Sequence, residues 1–291
     1  MFPAKRLRYI LGMGARPIVL SIAGHDPSSG AGITADIKTA AALGCYAVTC
    51  ITALTVQSTQ GVYGVEPVRP DLVRDALLRL ADDVSIAAVR IGMLGSGEVA
   101  SAVADFLSHS KPPNVVLDPV LQSSSGVSLV DATGLAVIRT QLLPLSDVLT
   151  PNVEEASELA DADVGGFSCS QSWESALPQI RRLASKLHDM GCGGVVITGG
   201  HLSEANDHLS VWDSGRITEQ IFWGSRLASQ ATHGTGCAFA MALACGLARG
   251  HSLPEAVSGA KDFVRKAIAA AYPVGKGVGP MNHLFGLGED D

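Results

Sequence analysis

The sequence predicts an α/β fold with a doubly wound, mostly parallel sheet, and three observations carry that expectation. Short apolar runs are continuous rather than alternating, as in strands buried on both faces. They alternate with helix-length segments that supply crossover connections. Glycine-rich turns join strand to helix. The first run, Pro17-Ile18-Val19-Leu20-Ser21-Ile22-Ala23, ends at Gly24, and the alanine-rich stretch over 32–43 reads as a helix closed by Gly44. A second buried strand over 46–54 completes a βαβ unit. The alternation continues with helices over 71–81, 96–107 and 176–190 and strands over 87–91, 115–117, 148–150 and 195–198. Residues 209–212 and 216–222, joined by Asp213-Ser214-Gly215, read as an antiparallel hairpin added at one sheet edge. Two long helices follow, over 237–247 and 253–271, the second opened by Ser252 as N-cap and Pro254.

With 291 residues, 47% of them hydrophobic, the chain can bury one large α/β core or two small ones. No repeat, low-complexity tract or Pro/Ser-rich linker interrupts it, so one domain over 17–291 is expected. Residues 1–16 mix Lys5, Arg6, Arg8 and Arg16 with an apolar stretch too short for a signal sequence or a membrane span, and read as a loose extension. The net charge is −7 and the 21 Lys and Arg are scattered, which offers no basic field to nucleic acid or an anionic membrane and points to small-molecule chemistry. Six cysteines lie far apart without metal-ligand spacing, as free thiols of a reducing cytosol do.

The strongest local signal is Thr232-His233-Gly234-Thr235-Gly236-Cys237, directly before the small-residue helix that starts at Ala238. Alternate glycines let backbone N–H groups turn toward one point, and the helix N-terminus adds partial positive charge there. Such a turn is an anion hole suited to a phosphoryl group; tight helix packing is the competing account. Cys237 falls in the first helical turn, where the dipole lowers a thiol pKa, so it is a candidate for taking or positioning a hydroxyl proton. As a small buried residue it would need no such role, and Cys45, Cys50, Cys192 and Cys245 read as core.

Gly24-His25-Asp26-Pro27-Ser28-Ser29-Gly30-Ala31-Gly32 also joins strand to helix but lacks the G-x-G-x-x-G order, so a dinucleotide site is not indicated. Its glycines suit the approach of a flat ring. Asp36, one turn into the helix, either pairs with amino or ring nitrogens of a ligand or lies on a solvated face. Thr150-Pro151-Asn152-Val153-Glu154-Glu155 follows a buried strand, where ligands gather in parallel sheets. Asn152 and Glu155 fit both a magnesium ion held through water and a helix capping box.

In this order the motifs resemble the hydroxymethylpyrimidine/phosphomethylpyrimidine kinases of thiamine biosynthesis, in the ribokinase-like superfamily. The likeness runs from about Pro17 to Phe285. It rests on Ala23 to Asp36, on Gln57 in Thr52-Ala53-Leu54-Thr55-Val56-Gln57, on Met93 in Ile91-Gly92-Met93-Leu94, and on Val120 in Asp118-Pro119-Val120. Gly199-Gly200-His201, the Thr232 to Cys237 turn and the closing Gly275-Lys276-Gly277-Val278-Gly279-Pro280-Met281-Asn282-His283 also fit. The resemblance implies a pyrimidine against Gly24, Asp36, Gln57, Met93 and Val120, with Asp36 or Gln57 reading its amino edge. It implies ATP as phosphate donor, Mg²⁺ organised by Asn152 and Glu155, the transferred group held by Gly234, Thr235, Gly236 and Cys237, a cytoplasmic setting and a homodimer. Ser124 and Thr198 depart from the family, which usually has lysines at those positions near the phosphates, and Lys261 or Lys276 would have to compensate. A pyridoxal kinase on the same scaffold and a catalytically idle pyrimidine-binding module are the rival readings.

Overall fold

The computed structural model describes residues 16–123, 126–162, 171–200 and 202–286. Strand β1 (Ile18–His25) leads through the first glycine-rich loop into α1 (Gly32–Ala42), and β2 (Tyr46–Ser58) and β3 (Gly61–Pro67) form a hairpin. Then come α2 (Pro70–Asp83), β4 (Ile86–Ile91), α3 (Gly97–Ser110), β5 (Val115–Leu117) and α4 (Ala132–Val137), which continues as a wide turn over Ile138–Leu142 and a tight one over Leu143–Leu145. The remaining elements are β6 (Val148–Leu149), α5 (Val153–Leu159), α6 (Trp173–Asp189), β7 (Gly194–Thr198), β8 (Asp207–Asp213), β9 (Arg216–Phe222), α7 (Thr235–Ala248) and α8 (Leu253–Ala269).

Nine strands form one sheet in the order β3-β2-β1-β4-β5-β6-β7-β8-β9. The six from β2 to β7 run parallel, and the edges β3, β8 and β9 pair antiparallel. The expected β8–β9 hairpin is present, but the opposite edge holds a second hairpin that the sequence reading left out. β2 runs on to Ser58: its first part pairs with β1, and its far end, beyond Leu54, pairs only with β3. The 120–145 stretch, left without structure in the sequence reading, contains α4 and its two turns.

Apolar side chains fill both faces of the sheet. Leu20, Ile22, Val89, Ile91, Leu117, Leu149 and Val195 pack with α2, α3 and α6 on one side. Val19, Ala88, Val116, Val148 and Val196 pack with α7 and α8 on the other. Successive strand residues alternate between the two cores, as a sheet covered on both faces requires. Cys45, Cys50, Cys192 and Cys245 are buried, as expected of core cysteines, and Cys169 lies outside the described residues. Among the described residues no helix is long and apolar enough to cross a membrane.

Trp173, the first residue of α6, is 1% exposed and its ring closes on the backbone of Gly199, where an added Cβ would stand 2.7 Å from the Trp173 Cζ3. Truncation would leave a cavity between α6 and the end of β7. Trp173→Ala is expected to lower the unfolding free energy by about 3–5 kcal/mol, read from urea denaturation of the full chain.

Candidate active site

The two glycine-rich turns meet at the carboxyl end of the sheet, and Asp26 holds them together. Its carboxylate accepts hydrogen bonds from Ser28 N (2.8 Å), Ser28 Oγ (2.7 Å), Gly30 N (3.1 Å) and Ala31 N (2.9 Å), and lies 2.8 Å from His233 Nε2 in the second turn. Burial opposes its ionisation, yet the bonds from His233 and Ser28 outweigh that cost and hold the carboxyl at about 2. The approach needs glycine on both sides. A Cβ on Gly234 would fall 1.9 Å from Gly30 O, with φ at +78°, and a Cβ on Gly30 would fall 2.2 Å from His233 Cδ2. Gly234 is the N-cap of α7, so Thr235, Gly236 and Cys237 form the first helical turn, whose N–H groups have no intrahelical acceptor. Around Gly236 an added Cβ would meet nothing within 4 Å, so this face is open.

Next to this turn lies an apolar patch separate from both cores: Ala53, Met93 and Leu129, with Val62, Val65 and Val120 packed against them. Gly24 borders it, since a Cβ there would stand 2.9 Å from the Met93 sulfur, and Thr52 Oγ1 fixes the Met93 backbone by donating to its carbonyl at 2.5 Å. The structure therefore brings Gly24, Met93 and Val120 together. Gln57, on the overhanging part of β2, lies 3.3 Å from His233 Nε2 and 3.1 Å from Thr55 Oγ1, between the patch and the second glycine turn. Val62, Val65 and Leu129 escaped the sequence reading.

Asp36 does not line this patch. It is fully buried beneath it, accepting from Ser21 Oγ at 2.6 Å and from Arg90 at 3.1 Å. That excludes the solvated helix face, and it corrects the expectation of a carboxylate that reads the ring at first hand. Arg90, itself fully buried, also ion-pairs with Asp118 at the end of β5. Burial raises the Asp36 carboxyl to about 6, Arg90 offsetting part of the cost, and raises Asp118 as well. Gly92 makes room for the guanidinium: a Cβ there would stand 2.1 Å from an Arg90 nitrogen.

Cys237 faces the same cluster, and its expected acidity is corrected. Burial pushes the thiol up to about 11, and the Arg90 charge only partly opposes it while Asp118 and Asp36 add to it. A thiol raised in this way keeps its proton at neutral pH.

The nucleotide-side residues gather at the ends of β6 and β7. Asn152 and Glu155 form the full capping box of α5: Asn152 Oδ1 accepts from Glu155 N, and Glu155 Oε2 accepts from Asn152 N, each at 2.9 Å. Thr198 forms a parallel bridge with Asn152. Burial and then the Asp118 charge push Glu155 up to about 8. Lys261 reaches the same end of β7 only through Asp207, which pairs with Thr198: its ammonium lies 2.6 Å from the Asp207 carboxylate and is bonded to Ala205 O, so its charge is already paired. Among the described residues no cluster of three or more His, Cys, Asp or Glu could hold a metal ion directly. Ser124 and His201 lie outside the described residues.

Comparison with known proteins accounts for this arrangement. The sequence profile of the phosphomethylpyrimidine kinase family matches residues 26–282. The chain is 40% identical over 273 residues to the hydroxymethylpyrimidine/phosphomethylpyrimidine kinase of Streptomyces coelicolor, covering 94% of this chain and 96% of that one. It is likewise 40% identical over 267 residues to the enzyme of that name from Escherichia coli, covering 91% and 96%. Among solved structures, a Bacillus subtilis pyridoxal kinase in complex with ADP superimposes with a TM-score of 0.80 at 32% identity, covering 92% of this chain and 98% of that one. A phosphomethylpyrimidine kinase from Clostridium difficile does so with a TM-score of 0.74 at 30% identity, covering 87% and 100%. A ribokinase-like sheet, two interlocked glycine turns over an apolar patch and a match spanning most of the sequence together show that the chain belongs to the phosphomethylpyrimidine kinase family.

Proposed function

We propose that the protein transfers the γ-phosphate of ATP to the hydroxymethyl group of 4-amino-5-hydroxymethyl-2-methylpyrimidine, and then a second phosphate to the monophosphate, giving the diphosphate used in thiamine biosynthesis. The observation that carries this reading is the adjacency of an apolar patch to an open helix N-terminus across the Gln57–His233 contact. The ring lies on Gly24, Met93 and Val120, and Gln57 reads its polar edge. Asp36 acts from below, through Arg90. The substrate hydroxyl oxygen bonds to the γ-phosphorus as the bond to the ADP oxygen breaks, and the amides of Gly234 to Cys237 stabilise the charge on the transferring oxygens.

A loose phosphoryl-transfer transition state asks little of a base, which suits a site whose nearest thiol stays protonated. Cys237 then positions the hydroxyl rather than deprotonating it. Asn152, Thr198 and Glu155 face the nucleotide phosphates. The raised Glu155 beside Asp118 fits a place where Mg²⁺, held through its water shell, would add positive charge. Lys261, paired with Asp207, shapes the nucleotide side from behind.

Dependence on ATP suits a cytoplasmic enzyme. The β2–β3 hairpin leaves Leu54, Val56 and Tyr63 more than half exposed, an apolar face suited to a second copy in a homodimer. Pyridoxal phosphorylation is the second reading, favoured by the similarity to the Bacillus subtilis pyridoxal kinase.

Incubation with Mg-ATP and each ring, followed by mass analysis, is expected to give the pyrimidine diphosphate. Pyridoxal 5′-phosphate as sole product would favour the second reading, and no phosphorylated ring at all would sink both. Cys237→Ala is expected to lower kcat while the KM for ATP stays within about twofold, because the amide cradle survives the change. An unaltered kcat would reduce the thiol to packing. In sedimentation velocity the protein should run as a dimer and Val56→Glu should shift it to monomer; a monomeric parent would remove the dimer from this reading.

A further inference from the structure

We propose that Thr52 is a positioning residue for the ring substrate: its hydroxyl straps the Met93 segment across the end of β1 and so fixes the apolar seat on which the pyrimidine lies. In the sheet β1 stands between β2 and β4, so β4 and β2 are not ladder neighbours. The chain leaving β4 makes the join between them. Gly92 N donates to Ile22 O of β1 at 2.9 Å, and Met93 O accepts from Thr52 Oγ1 of β2 at 2.5 Å. Gly95, with φ at +81°, then closes on Ala53, where an added Cβ would stand 3.0 Å from the alanine Cβ. Residues 92–95 thus span the mouth of β1. Gly24 lies against them, its missing Cβ leaving room for the Met93 sulfur.

The β2 side of the strap is shaped for this contact. Ala23 pairs with Ile51 and His25 with Leu54, so two steps along β1 match three along β2, and the surplus residue falls at Thr52-Ala53. A bulge of this kind re-aims side chains that regular alternation would commit to one face each. Here Ala53 joins the ring patch while the Thr52 hydroxyl turns to the Met93 carbonyl. Thr52 O in turn accepts from Val68 N at 2.8 Å, which anchors the strap at the exit of β3. Thr52 is fully buried and β-branched, so its hydroxyl has few rotamers to choose among and no water to turn to. Valine has nearly the same shape without the donor, and would leave the Met93 carbonyl without this partner. The Met93 side chain is long and flexible, so a seat made of it is only as well defined as the backbone that carries it. This step rests on the reading that Met93 contacts the ring.

Steady-state kinetics on the full chain test it. Thr52→Val should raise the KM for the aminopyrimidine about tenfold and that for ATP no more than about twofold, the scale of one lost buried hydrogen bond. Thr52→Ser, which keeps the donor, should recover most of the loss. An equal rise in both KM values would mark a general loosening of the fold and overturn the positioning role. Because the strap acts through Met93, Thr52→Val should add less than about twofold in a Met93→Ala background, and full additivity of the two changes would overturn it. If Thr52→Val does not fold, Thr52→Cys, with its weak S–H donor, must give the same pyrimidine-specific rise in smaller measure, at least about threefold. No rise in these variants while Met93→Ala does raise the pyrimidine KM would overturn the strap alone, and no effect of Met93→Ala would overturn the ring contact itself.

Discussion

Arg90 has no solvent-exposed surface, and its guanidinium sits between Asp36 and Asp118. Burying three ions costs several kcal/mol each before their mutual attraction returns any of it, so this cluster is a poor source of stability compared with apolar packing of the same volume. What it supplies is geometry. Arg90 comes from β4, Asp36 from α1, Ser21 from β1, and Asp118 from the segment after β5. Removing one partner would strand a charge in the core. These four parts are therefore held in one relative position under the ring patch and beside Cys237. The same grouping explains why the thiol is not acidic: the two carboxylates and burial together outweigh the arginine.

Above this foundation the site is built from backbone more than from side chains. Asp26 satisfies the amides of the first glycine loop and reaches the second through His233, while Gly30 and Gly234 let the two turns approach to van der Waals contact. The closing segment joins them: Gly279 O accepts from His233 N, and Pro280 bridges His233. Three stretches far apart in the chain thus share one small volume, and the open N-terminus of α7 faces out of it.

The sequence made some of this legible and hid the rest for physical reasons. The parallel strands announced themselves as continuous apolar runs because both faces are buried, and Asn152 with Glu155 announced α5 because a capping box is local, four residues long. The turn before α7 was visible for the same reason. The β2–β3 hairpin was not, because β3 is an edge strand broken by Gly64 and ending at Pro67, with little apolar alternation to count. Asp36 was assigned to the ligand because its partner Arg90 lies 54 residues away, and no periodicity reports such a pairing. Asp26 passed as a loop residue although its carboxylate ties both glycine turns together. The acidity expected of Cys237 failed because a helix position implies a dipole but says nothing of desolvation.

Gly92 gives the buried arginine its place. The guanidinium occupies the volume that any side chain at residue 92 would need, with a Cβ only 2.1 Å from one of its nitrogens. A side chain at 92 would have to push the end of the arginine away from Asp36 and Asp118, so a change at either position is felt at the other. The small residue two places after Arg90, at the exit of β4, thus sets how firmly the floor of the site is braced.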